Sequence, residues 1–110
     1  MAIDPIDVDR VRRLLADTTS QPVTEKRIIG GGHGFLVDGN LCCAVTTRGL
    51  TVRVGPADKA SALTEAHVVP HLVGSRETSA FVVVQADGFA TDDALAAWVQ
   101  RAIRFVATLS

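Results

Sequence analysis

The residues Gly30-Gly31-Gly32-His33-Gly34 have the composition of a loop that could cradle a phosphate. Phosphate loops of the familiar kinds place a strand before the glycines and a helix after them, so that the helix N-terminus meets the anion. Here strand-forming residues follow, and the Gly-Lys-Ser/Thr signature is missing. A bulge or a close approach of another element to the backbone accounts better for the glycines, with Gly34 the position where something lies near a sheet. The chemical alternative is a small-ligand pocket for a nucleotide or metabolite, built from Gly30 to Gly34 with His33 and Arg53.

The remaining reactive side chains are dispersed. His67 and His71 are four residues apart, but Pro70 stands between them and works against a shared helical face. Neither Cys42 nor Cys43 has the spacing of a structural zinc site, so no metal and no cofactor is expected. As a nucleophile Cys43 reads as core-facing and inert, and Cys42 as the more exposed of the two. No base or oxyanion donor is identifiable beside either, and catalytic residues are therefore not assigned. Basic residues group as Arg10, Arg12 and Arg13, as Lys26 and Arg27, and as Arg101 and Arg104. They are flanked by aspartates and accompanied by few aromatics, which argues for solvated faces and against direct nucleic-acid binding.

These residues must be positioned by one domain, since 110 residues suffice for a single core without staples. A hydrophobic share of 47% excludes disorder, and a formal net charge of −1 supplies no global field toward nucleic acid or an anionic membrane. No apolar run reaches spanning length and the N-terminus has no signal-peptide character, so a cytoplasmic protein is expected. Two adjacent cysteines fit a reducing compartment better than a disulfide framework.

Asp4-Pro5 opens a helix by capping logic, and Val8, Val11, Leu14 and Leu15 carry it to about Asp17. Glu25 to Ile29 leads into the sheet. Three short strands then form a meander: Phe35 to Val37, Leu41 to Thr47 and Leu50 to Val54. A three-residue loop at Asp38 to Asn40 pairs Phe35 with Cys43 and Val37 with Leu41. A turn at Arg48-Gly49 pairs Val45 with Val52 and Cys43 with Val54. That register collects Phe35, Val37, Leu41, Cys43, Val45, Val52 and Val54 on one face. It leaves Leu36, Cys42, Ala44, Thr46, Thr51 and Arg53 on the other. A helix follows from Pro56 to about Ala66, then an ambiguous segment with a turn near Gly74 to Arg76. Phe81 to Gln85 reads as a strand buried on both faces. The last helix is capped by Thr91 and has one apolar face of Leu95, Trp98, Val99, Ala102, Ile103 and Val106. The order gives an α+β two-layer domain.

The run RIIGGGHGFLVDGNLCCAVTTRGLTVRVG, followed by a helix, SAFVVVQADG and DDALAAWVQRA, resembles the N-terminal domain of the TfoX/Sxy family from about Glu25 to Phe105. Members typically carry Met or Phe after the arginine, where this chain has Ile28 and Ile29. The resemblance implies an α-β-β-β-α-β-β-α order akin to type III secretion chaperones, with a second strand before Phe81. The family's namesakes regulate bacterial natural competence together with a cyclic-AMP receptor protein and carry a second domain of helix-hairpin-helix type. This chain reads as the first domain alone, and the family supplies no catalytic residues to transfer.

The function expected is a non-enzymatic regulatory module that holds a protein partner or its own copy. Its outer sheet face is too apolar and too small-chained for an ordinary solvent face.

Overall fold

The computed structural model describes residues 3–28 and 31–109. Helix α1 (Pro5–Thr18) is followed by β1 (Val23–Ile28), β2 (Gly32–Val37), β3 (Asn40–Thr46) and β4 (Gly49–Arg53). Then come α2 (Pro56–Leu63), β5 (Val68–Val73), β6 (Arg76–Val84) and α3 (Asp92–Val106), with single 3-10 turns at Ala86–Gly88 and Ala107–Leu109. The expected order holds, and the lead-in before the glycines forms a strand of its own. The ambiguous segment is a β5–β6 hairpin turning at Gly74-Ser75.

The strands make one antiparallel sheet in the order β1-β2-β3-β4-β6-β5. Both helix starts with a side-chain cap follow the sequence signals. The Ile6 N–H donates to the Asp4 carboxylate at 2.8 Å, and the Ala94 N–H donates to Thr91 Oγ1 at 3.1 Å. Leu95, Trp98, Val99, Ala102 and Val106 of α3 are buried, with Ile103 partly so. They share a core with Val8, Val11 and Leu15 of α1, Ala62 of α2 and one sheet face, that of Phe35, Cys43, Val45, Leu50, Val52, Val82 and Val84. Among the described residues no helix is long and apolar enough to cross a membrane.

Two register details differ from expectation. The β2–β3 connection is a two-residue turn, Asp38-Gly39, with φ of 51° and 80° and Val37 opposite Asn40. Positive φ at both positions is the twist-matched hairpin geometry. Phe35 still faces Cys43, because a β-bulge after Phe35 gives β3 one extra residue, Cys42. The β3–β4 turn is Thr47-Arg48, pairing Thr46 with Gly49, Val45 with Leu50 and Cys43 with Val52. Gly49 is therefore the first strand residue and not a turn residue. A Cβ there would lie 2.3 Å from the Val84 carbonyl oxygen, so the glycine is what lets β6 approach. The shift is two residues, which leaves every β4 side chain on its expected face.

Candidate functional site

The sheet face turned away from the helices follows from the register. One cross-strand row runs Lys26, Gly34, Ala44, Thr51, Val83 and Val69 through all six strands. Alternation adds Thr24, Ile28, Gly32, Leu36, Leu41, Thr46, Arg53 and Phe81 to the same face. Ala44 and Val83 are only 3% and 2% exposed, yet both stand outside the core that the helices share. Small side chains form the floor, and half-buried Ile28, Leu36, Leu41 and Phe81 rise around it.

Of the six residues expected on this face, Leu36, Ala44, Thr46, Thr51 and Arg53 lie there. Cys42 does not. The bulge turns it into the core, where it is fully buried beside Cys43, and the two thiols are free. A hydrogen bond with Cys42 that favours the protonated form, together with burial, holds the Cys43 thiol well above its usual pKa. The same bulge moves Leu41 from its expected core position to the outer face, where it pairs with Leu36. Ile28, Phe81 and Val83 were not anticipated on this face. The signal for them was period-two alternation, but it becomes usable only once the strand pairing is known.

Arg53 is held between two rings, its guanidinium 5.6 Å from the centroids of both Phe81 and Phe105. It donates to the Leu41 carbonyl at 3.2 Å, and its Nε is buried without a hydrogen-bond partner.

The glycine segment is divided. Gly30 lies outside the described residues. Gly31 is in a turn at φ 97°, and Gly32, His33 and Gly34 belong to β2. No helix follows, as expected for a segment that is not a phosphate loop. A Cβ at Gly34 would lie 2.5 Å from Ile28 Cδ1, and one at Gly32 3.1 Å from Thr46 Cγ2. The glycines let neighbouring outer-face side chains close over β2, which is the close approach expected at Gly34.

His33 points to the helix side and joins a polar cluster. Its Nε2 lies 2.6 Å from Glu25 Oε1, and Arg12 donates from Nε and Nη2 to the same carboxylate, both at 2.8 Å. The bidentate Arg12 contact, with a smaller contribution from His33, depresses the Glu25 pKa to about 2 against the opposing effect of burial. Beside this cluster a cavity of about 340 Å³ is lined by Ile3, Arg27, Gly31, Gly32, His33 and Thr47. Arg53 is not part of it, so the pocket that combined His33 with Arg53 does not form. His71 instead packs its ring on Phe81, with centroids 5.5 Å apart, and its Nδ1 lies 3.0 Å from Thr78 Oγ1. Burial, and then the charge of Arg48, lower its pKa. Among the described residues no group of His, Cys, Asp or Glu is arranged to hold a metal ion.

Four arginines of the helices are paired with carboxylates. Arg10 meets Asp7 and Asp92, Arg12 meets Asp9 and Glu25, and Arg13 meets Asp9. Arg101 meets Asp58 and Glu65 while its guanidinium lies 4.5 Å from the Trp98 ring centroid.

A family model described as the TfoX N-terminal domain matches residues 13–106, from within α1 to the end of α3. The chain belongs to the TfoX N-terminal domain family. The match takes in the whole sheet, its bulge and the uncovered face, so these belong to the part of the chain that defines membership. Comparison with curated proteins found no match. Comparison with solved structures also found none.

Proposed function

We propose that this TfoX N-terminal domain is a non-enzymatic regulatory module and that its uncovered sheet face is the surface on which a protein is held. One observation carries the reading. A six-stranded sheet has its helices gathered on one side, and its other side is floored by Ala44, Thr51 and Val83 and bordered by Ile28, Leu36, Leu41 and Phe81. Apolar side chains gathered on a sheet face that no helix covers are a common mark of an interface. On the helix side Arg12, Glu25 and His33 engage one another, as do Arg101, Asp58 and Glu65, which supports a structural role for them over a catalytic one. Two free, buried thiols are in keeping with the cytoplasm.

Affinity capture from nuclease-treated native extract, run in parallel with wild type and Ala44→Arg, tests this reading. The expected result is a protein retained by wild type and lost by the variant, with unchanged circular dichroism. Equal retention by both overturns the assignment of the face.

The cavity at Arg27 and His33 favours a second reading, a small anionic ligand. A thermal-shift screen of nucleotides and metabolites tests it, since a ligand at 100 times its Kd adds about 2.7 kcal/mol. No shift across the screen removes it.

A further inference from the structure

Charge is distributed unevenly between the two sides of the sheet. Lys26 and Arg53 stand on the uncovered face, and among the described residues neither lies within ion-pair distance of a carboxylate. Arg48, in the β3–β4 turn at the sheet's end, also has no carboxylate partner there. On or against the helices Arg10, Arg12, Arg13, Lys59 and Arg101 are ion-paired with carboxylates that lie on that side, while Arg27 and Arg104 have no carboxylate within ion-pair distance among the described residues. Of the chain's twelve acidic side chains only Glu25 and Glu77 lie in strands: Glu25 stands opposite Phe35 on the helix side, and Glu77 is taken up by Lys59 of α2. An apolar floor bordered only by cations is complementary to an apolar surface bordered by anions.

We infer that the uncovered face receives a segment of a different protein, one that presents an apolar strip flanked by carboxylates, and not a second copy of this chain. The inference rests on the proposed function above and names the partner's chemistry. A second copy docked face to face would bring the unpaired Lys26 and Arg53 of both protomers into one desolvated interface with no carboxylate to meet them, which opposes association. An acidic amphipathic helix supplies both requirements. Its apolar stripe covers the floor, and its glutamates or aspartates reach Lys26 and the open edge of the Arg53 guanidinium, which is already held between the Phe81 and Phe105 rings.

The experiment is selection from a displayed library of random peptides of about 16 residues. Such a peptide forms a helix of roughly 24 Å, enough to cross six strands at about 4.8 Å spacing. The whole chain is immobilised, and the enriched peptides are synthesised and titrated by fluorescence anisotropy. Enriched sequences are expected to combine apolar residues at helical spacing with a net negative charge, and to lose binding on Leu36→Arg. Lys26→Glu should weaken them about three- to five-fold, the size of one exposed ion pair. A Glu→Lys change in the peptide should restore binding to Lys26→Glu, which damage to the fold could not do.

Peptides that bind through Leu36 but carry no acidic bias would overturn the partner's chemistry while leaving the face an interface. Peptides indifferent to both Leu36→Arg and Ala44→Arg would overturn the face itself. Absence of enriched peptides, or sedimentation showing a wild-type dimer that Leu36→Arg dissociates, would overturn the inference in favour of no segment or of a second copy.

Discussion

At the scale of single residues, Glu25 is the most perturbed carboxylate with surface access. Its pKa in the fold is about 2 against an ordinary 4.5, so its ionised contacts stabilise the fold fully above about pH 4.5. That contribution is lost as pH falls from there toward 2. Arg12→Ala should return the Glu25 pKa most of the way to its ordinary value, read by NMR titration of the side-chain carboxyl. It should also flatten the loss of stability below pH 4.5. The thiols make a second test. Cys42 and Cys43 are both fully buried, and the Cys43 pKa is raised. Neither should react with a thiol-specific disulfide reagent in the native state, and both should react in urea; fast native labelling of Cys42 would contradict its place in the core. Adjacency implied opposite faces for the two, since side chains alternate along a strand. The bulge broke that alternation, and it arises from a mismatch between a two-residue turn and the apolar pattern beyond it.

At the scale of elements, α3 was the most readable because each of its signals agrees with the others. A threonine cap, two aspartates in the first turn and a continuous apolar stripe all specify the same helix. Thr91→Ala should cost about 1 kcal/mol, and Trp98→Ala about 3–5 kcal/mol through the cavity it leaves, both measured by urea unfolding. The β3–β4 hairpin was harder to read. Arg48-Gly49 has the chemistry of a turn, but Gly49 serves the passage of β6, with φ of 135° and no room for a Cβ. Gly49→Ala should therefore destabilise the domain by about 3 kcal/mol, from backbone strain and overlap with the Val84 carbonyl. A cost within about 0.5 kcal/mol, the range of ordinary surface changes, would show that β6 can give way.

At the scale of the whole molecule, three helices on one side of a six-stranded sheet leave the other side without a layer. Covering that side should reduce solvent access to Ile28, Leu36, Leu41 and Phe81, the half-buried side chains around its floor. A bound acidic peptide is expected to slow amide hydrogen exchange and shift the NMR signals of Leu36, Ala44, Thr51 and Val83 while leaving α1 and α3 unchanged. Shifts confined to the surroundings of Arg27 and His33 would instead mark the cavity at the end of β2 as the binding site. Raising salt from about 0.05 to 0.5 M should weaken the peptide, because its flanking ion pairs are exposed and screened.

Local chemistry determined the helices and their caps, the meander, the class of fold and the identity of most core residues, because hydrophobic period and capping act over a few neighbouring positions. Membership of the TfoX N-terminal domain family was legible in the same way, from the glycine segment and the last helix. The tertiary structure decided where β2 and β3 slip past one another, which strand lies beside β4, and which side of the sheet the helices cover. Those depend on partners far apart in sequence: Gly49 on Val84, Gly34 on Ile28, Arg12 on Glu25. The uncovered face and its unpaired cations exist only in that arrangement, since Lys26, Arg53 and Val83 meet on one surface through strand pairing alone.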